Sequence, residues 1–271
     1  MNPQVEEKVR TKRRSRRLAA QPGRGHGGRV RHAHACAAVG VALLAACAGG
    51  GTDRRTEAER DTAPDGAPRL DFLALGDSYT IGEGVAAGER WPAQLVELLR
   101  ARGVAIEEPQ IVARTGWTTE ELREGIERAD PAGGRALVSL LIGVNDQYRG
   151  HSVAEYRRGF GDLLRRAIGF AGDRPERVVV LSIPDWGVTP FAAERDPAKI
   201  AEEIDAFNAA AHAETENAGA RWVEITSATR ELGNDPAMLV EDGLHPSGVV
   251  YDHWARLALP AALAALGTPD S

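Results

Sequence analysis

The sequence predicts an α/β fold, a parallel sheet of about five strands covered by helices on both faces. Three observations carry that expectation. From residue 69 onward, five apolar segments alternate with five helix-like segments. The central apolar segments are continuous runs, as in strands buried on both faces. Two helix-like segments begin with a capping box, which fixes where they start.

The elements follow in order. A first strand is expected over 70–75, ending at Gly76. A helix follows at 91–102, with Trp91 beside Pro92 near its start and expected in the core. The second strand is expected over 107–113. The helix at 119–129 is announced by Thr118 and Glu121 at the S/T-x-x-E spacing, and the helix at 153–171 by Ser152 and Glu155. Between those two helices lies the third strand, 135–142. The fourth strand, 177–183, leads to a helix at 197–218. A fifth strand, 221–225, precedes the final helix at 248–266. There is no internal repeat and no second domain, so 69–268 reads as one domain with a short tail at 269–271.

The segment ahead of it reads differently. Residues 1–34 are basic and Gly-rich, and an apolar run at 35–48 follows. That run is too short for a bilayer span, which needs about 20 residues. A basic region, a short apolar run and small residues together describe a secretory signal. The run ends in Leu44-Ala45-Ala46-Cys47, which resembles a bacterial lipobox. That resemblance implies that residues 1–46 are removed and that Cys47 is lipidated. The expected product is an exported lipoprotein on the extracytoplasmic side, with residues 47–68 as a solvated tether. Only Cys36 and Cys47 occur, so the mature chain holds one cysteine and no internal disulfide. It also carries a formal net charge of −14 once ten basic and two acidic residues leave with the signal. Such a charge argues against nucleic-acid binding and against electrostatic adhesion to anionic lipid. Membrane contact would come from the anchor.

In parallel sheets the ligand site lies beyond the carboxyl ends of the strands, and the chemistry-bearing residues fall there. Ser78 follows the first strand in Gly76-Asp77-Ser78 and is either a nucleophile or a helix cap. A serine nucleophile needs a base. Of His151, His212, His245 and His253, only His245 sits in a turn-rich loop with a carboxylate three residues earlier, Asp242. That pair can orient an imidazole; an Asx turn before a helix is the other reading. An oxyanion needs donors. Gly116 offers a backbone N–H after the second strand. Asn145 offers a side-chain amide after the third, unless it is a turn residue with Asp146. Asp185 and Trp186 after the fourth strand either line a pocket or pin their loop. Trp117, Gln147 and Tyr148 are candidates for the acyl or alcohol pocket, with packing as the alternative.

The ordered set Gly76-Asp77-Ser78, Gly116, Gly143-Val144-Asn145-Asp146 and Asp242-Gly243-Leu244-His245-Pro246 resembles the SGNH/GDSL hydrolase family. The resemblance spans essentially all of 69–268. It implies a three-layer, flavodoxin-like α/β/α fold and a serine hydrolase acting on esters or thioesters. In that frame Ser78 is the nucleophile, His245 the general base and Asp242 its orienter. The N–H groups of Ser78 and Gly116 and the Asn145 amide form the oxyanion hole. The serine motif departs in one place: Tyr79 stands where the family name has leucine. No metal or organic cofactor is implied, and no Cys/His cluster supports one. The expected partner is a small-molecule or glycan ester, with short acyl or O-acetyl groups ahead of lysophospholipids and thioesters. A non-catalytic carbohydrate-binding module on the same fold is the reading from another class. A nucleotide or flavin binder would want a G-x-G-x-x-G loop or a P-loop lysine after the first strand, and "GDSYTIGEG" has neither.

Overall fold

The computed structural model describes residues 69–268. The expected signal, Cys47, the tether at 47–68 and the tail at 269–271 lie outside the described residues.

Five strands form one parallel sheet: β1 (Phe72–Gly76), β2 (Gln110–Ala113), β3 (Leu137–Leu141), β4 (Val178–Leu181) and β5 (Arg221–Val223). Their order is β2-β1-β3-β4-β5. Leu75 of β1 stands opposite Val112 on one side and Leu140 on the other. Every residue of β1, β3 and β4 is buried, which is why these strands read as unbroken apolar runs. The edge strand β2 is shorter than expected. Pro109 has no N–H to give the ladder, so the segment before it pairs only through an isolated bridge between Leu70 and Ile106.

Among the described residues, eight α-helices connect and cover the sheet: α1 (Ser78–Ile81), α2 (Trp91–Ala101), α3 (Thr119–Ala129), α4 (Val144–Tyr148), α5 (Val153–Phe170), α6 (Pro197–Ala218), α7 (Thr226–Leu232) and α8 (Gly248–Ala265). Helices α2 and α8 pack together on one face, and α5 packs between α3 and α6 on the other. Both capping boxes are formed. Glu121 accepts the Thr118 N–H at 2.9 Å, and Glu155 accepts that of Ser152 at 2.9 Å. Each cap contributes about 1 kcal/mol. Asp196 caps α6 by accepting from the N–H groups of Ala198 and Lys199, and Gly219 ends it in the left-handed region at φ 76°. Trp91 is fully buried, as its position suggested.

Three short helices had no predicted range, although the helix-cap reading of Ser78 anticipated one after β1, where the cap is Asp77 and Ser78 is the first helical residue. α1, α4 and α7 lie in segments read as loops, and α7 occupies the start of the long 226–245 connection. None of them is long enough to display a helical apolar period. Two of the three, α1 and α4, carry site residues. The sheet order changes direction between β1 and β3, and the loops leaving those two strands bound the crevice where such folds bind ligands.

Candidate active site

The exit from β1 is sterically defined. A Cβ on Gly76 would lie 2.1 Å from Thr80 Oγ1 and 2.5 Å from Leu141 O, so only glycine fits. Asp77 then caps α1, its Oδ1 accepting the Tyr79 N–H at 3.0 Å. The single turn of helix closes on Gly82 in the left-handed region, φ 65°. Ser78 is thereby the first residue of the helix. It is 4% exposed and lines a pocket of about 160 Å³.

Asp77 itself is wholly buried, and its Oδ2 has no hydrogen-bond partner. Burial pushes its carboxyl up to about 8, against the Tyr79 N–H, with the charge of Asp146 adding to the rise. Between roughly pH 4 and pH 8 the native protein holds a proton that the unfolded chain has released. Stability therefore falls as pH rises through that window, by at most about 1.4 kcal/mol per pH unit, and levels off above it. Asp77→Asn keeps the acceptor for Tyr79 and removes the titration. Thermal melts of the two proteins from pH 5 to pH 8 are expected to diverge, the parent losing stability relative to the variant. Parallel melts would show that Asp77 ionises freely.

His245 sits in a closed loop. His245 O accepts from Val240 N at 2.9 Å, and Met238 O accepts from Ser247 N at 2.9 Å. Inside it, Asp242 Oδ1 accepts the N–H groups of Leu244 and His245 at 2.8 and 2.9 Å. Its Oδ2 lies 2.6 Å from His245 Nδ1. The motif is both an Asx turn and a carboxylate–imidazole pair, so the two sequence readings are one structure. Partial burial works to raise the Asp242 carboxyl, but the His245 ring and the two N–H groups outweigh it and hold it below its usual range. With Nδ1 bound to a carboxylate, Nε2 is left as the basic nitrogen. His245 is 6% exposed and lines the same pocket as Ser78. No hydrogen bond joins Ser78 Oγ to His245 among the described residues; such contacts are often loose before substrate binds.

The two segments that carry Gly116 and Asn145 are stitched together. Gly116 holds φ 83°, a conformation that favours glycine. Its carbonyl accepts from Arg149, which also pairs with Glu121 at 3.1 Å. Asn145, in the first turn of α4, donates through Nδ2 to Trp117 O at 3.0 Å. That leaves the second N–H of the amide for the pocket, which Asn145 lines beside Gly116. Asp146 is buried and ties α4 to the start of α3, accepting from Thr119 N at 2.9 Å and Thr119 Oγ1 at 2.7 Å. Gly143 brings α4 in close: a Cβ there would stand 2.5 Å from the Tyr156 ring.

The pocket brings together Ser78, Gly116, Asn145, Tyr148, Trp186 and His245 from the sequence-derived set. Trp117, Gln147 and Asp185 do not line it, and their side chains do other work. Trp117 lies against Gly125, where an added Cβ would be 2.2 Å from its ring; it serves the site through its carbonyl alone. Gln147 accepts from Trp186 Nε1 at 2.8 Å and donates to Glu203 at 2.7 Å, holding the Trp186 ring from behind. Asp185 pins its loop through Gly187 N at 2.9 Å and Arg230 at 2.8 Å. The pocket also has walls that sequence reasoning missed: Tyr79, Thr115, Val144, Phe191 and Leu244. Four of these directly flank a motif residue, and that adjacency is a usable signal. Phe191 has none. Its N–H donates to Gly243 O at 3.0 Å, which ties the aromatic rim to the His245 loop. Among the described residues no cluster of three or more His, Cys, Asp or Glu is arranged to hold a metal ion.

The comparisons agree with this fold. The GDSL-like lipase/acylhydrolase family matches residues 74–253, a span that contains Ser78, Gly116, Asn145, Asp242 and His245. No curated protein matches the chain. Among solved structures the chain is similar to TesA, at 20% identity and TM-score 0.57, covering 71% of this chain and 97% of that one. It is similar to the lipase/acylhydrolase from Enterococcus faecalis, at 22% identity and TM-score 0.53, covering 70% and 94%. A third likeness is to the psychrotrophic esterase EstA from Pseudoalteromonas sp., at 16% identity and TM-score 0.52, covering 70% and 95%. At these identities the likenesses establish a shared fold.

Proposed function

The chain belongs to the GDSL-like lipase/acylhydrolase family, and we propose that it is a serine esterase that releases small acyl groups through an acyl-Ser78 intermediate. The observation that carries this is the meeting of Ser78, the Asp242–His245 pair, Gly116 and Asn145 in one pocket. Ser78 Oγ attacks the ester carbonyl carbon as its proton passes to His245 Nε2, and the carbonyl π electrons move onto oxygen. The N–H groups of Ser78, Gly116 and Asn145 receive that oxyanion. Collapse re-forms the carbonyl and breaks the bond to the alcohol oxygen, which takes the proton from His245. Water, deprotonated by His245, then attacks the acyl-serine, and the acid leaves as Ser78 regains its proton. Asp242 holds the imidazole in the required tautomer throughout.

The size of the pocket supports small acyl groups. At about 160 Å³ it is well below the roughly 300–1,000 Å³ of sites for drug-sized ligands. The test is hydrolysis of p-nitrophenyl esters from acetate to dodecanoate by the full chain. We expect kcat/KM to reach its highest level by butyrate and to gain nothing from there to dodecanoate, since surplus methylenes would stay in water. A profile that rises with chain length would point instead to a long-chain acylhydrolase. We further propose that the enzyme works on the extracytoplasmic side of a membrane, anchored by lipid on Cys47. The basic leader, the short apolar run and Leu44-Ala45-Ala46-Cys47 support this placement.

A further inference from the structure

Tyr79 is the one departure from the Gly-Asp-Ser-Leu pattern, and the structure gives it a task. Its ring is buried, lines the pocket, and lies 5.2 Å from the His245 ring, centroid to centroid, at a tilt of 53°. Behind it stands Trp254 at 5.9 Å, and Tyr251 meets Trp254 edge-on at 5.3 Å and 85°. The four rings make a column that runs from the pocket into the core. Its inner members are fully buried on α8, so the column is held at its base. Tyr79 also directly follows Ser78, so one backbone turn places the nucleophile and the ring against which the base rests.

His245 has two kinds of neighbour. Asp242 engages it at Nδ1, in the ring plane. Tyr79 engages it ring to ring. When His245 takes the serine proton it becomes a cation, and a cation over the face of an aromatic ring, within about 6 Å of its centroid, is attracted by the ring quadrupole. Burial, then the facing carboxylates of Asp77, Asp242 and Asp185, push the Tyr79 hydroxyl far above its ordinary value. The ring therefore stays neutral over the working pH range and presents the same electron distribution throughout.

We propose that Tyr79 is a positioning residue that stabilises the His245 imidazolium during turnover through its ring; as a role in catalysis this rests on the esterase reading above. Asp242 bonds the imidazole from its own loop, Asp77, Asp242 and Asp185 act on the Tyr79 hydroxyl, Asp77, Asp242 and Glu83 act on Tyr251 behind it, and Tyr148 lines the pocket with both rings. Substitution at position 79 removes none of these other groups.

The direction of the effect separates electrostatics from packing. Losing the ring's attraction lowers the His245 pKa. Merely opening space beside His245 admits water, which favours the cation and raises it. The experiment is an NMR titration of the His245 ring in the full chain, its signal assigned by its loss in His245→Gln, for the parent, Tyr79→Phe and Tyr79→Leu. Tyr79→Met, unbranched and longer, makes the same comparison should the leucine variant fail to melt cooperatively. The expected result is an unmoved pKa in Tyr79→Phe and a fall of about half a unit in the aliphatic variant. The acid limb of kcat/KM should move by the same amount, with kcat about threefold lower and KM unchanged. An aliphatic variant whose His245 pKa is unmoved or raised overturns the proposal. So does a Tyr79→Phe that shifts as far, since the hydroxyl would then be responsible. The titration reads the ring contact whether or not the protein hydrolyses esters, and the ester panel reads the activity on its own.

Discussion

Replacing Ser78 with alanine is expected to lower kcat for ester hydrolysis by about 10⁵–10⁶, with the fold intact. The size of the loss follows from what remains. Tyr79, Thr115 and Tyr148 also line the pocket, but the Thr115 hydroxyl donates to Glu83, and the proposed attack needs the serine that shares the pocket with His245. The oxyanion donors survive the substitution, including the N–H of residue 78, so a residual acceleration of about 10³ over water is expected. The cap of α1 comes from Asp77, not from the Ser78 side chain, so the melting temperature should hold within a few degrees. Purified variant and parent, compared on p-nitrophenyl acetate with melts alongside, make the measurement. A folded variant that keeps more than about 1% of parental kcat would remove Ser78 from the role of nucleophile.

The second large effect is expected at Asp242. Its two oxygens have separate duties: Oδ1 takes the N–H groups of Leu244 and His245, and Oδ2 faces His245 Nδ1. In Asp242→Asn the carbonyl oxygen can keep the backbone turn, so the loop should persist. The amide N–H₂ then faces Nδ1, two donors cannot pair, and the imidazole must turn Nδ1 into the acceptor. The proton moves to Nε2, which no longer takes one from Ser78. The expected loss is about 10³–10⁴ in kcat with little change in KM. Asp242→Ala should be as slow and, in addition, less stable, because the turn loses the one oxygen that accepts both N–H groups. Stability that falls equally in both variants would show that Asp242 acts on the loop alone.

Much of this architecture is legible in the sequence because the buried strands and capped helices announce themselves. β1, β3 and β4 are buried at every residue, and a continuous apolar run is what that requires. Thr118 and Ser152 mark helix starts because the capping box is a local hydrogen-bond exchange. The edges were less readable: β2 is cut short by Pro109, whose effect depends on which neighbour needs an N–H. The short helices α1 and α4 had no predicted range because a single turn has no period. In the site, Ser78, Gly116, Asn145 and the Asp242–His245 pair were found from residue type and from position after strands. Side-chain direction was not. Trp117 and Gln147 carry the right chemistry for a pocket, yet one packs on Gly125 and the other braces Trp186. Phe191 reaches the pocket through a backbone bond to Gly243 that no local pattern encodes.

The position of the base on the final loop has a consequence for the order of events in the cell. His245 lies immediately ahead of α8, and α8 packs along α2 near the beginning of the domain. A nascent chain therefore carries Ser78 long before His245 is made, and the last helix must dock on one of the first to bring the two together. In the proposed esterase, maturation of the active centre is thus coupled to closure of the whole domain: an unfinished or unfolded polypeptide would be chemically silent, and hydrolytic competence would come only with the completed fold.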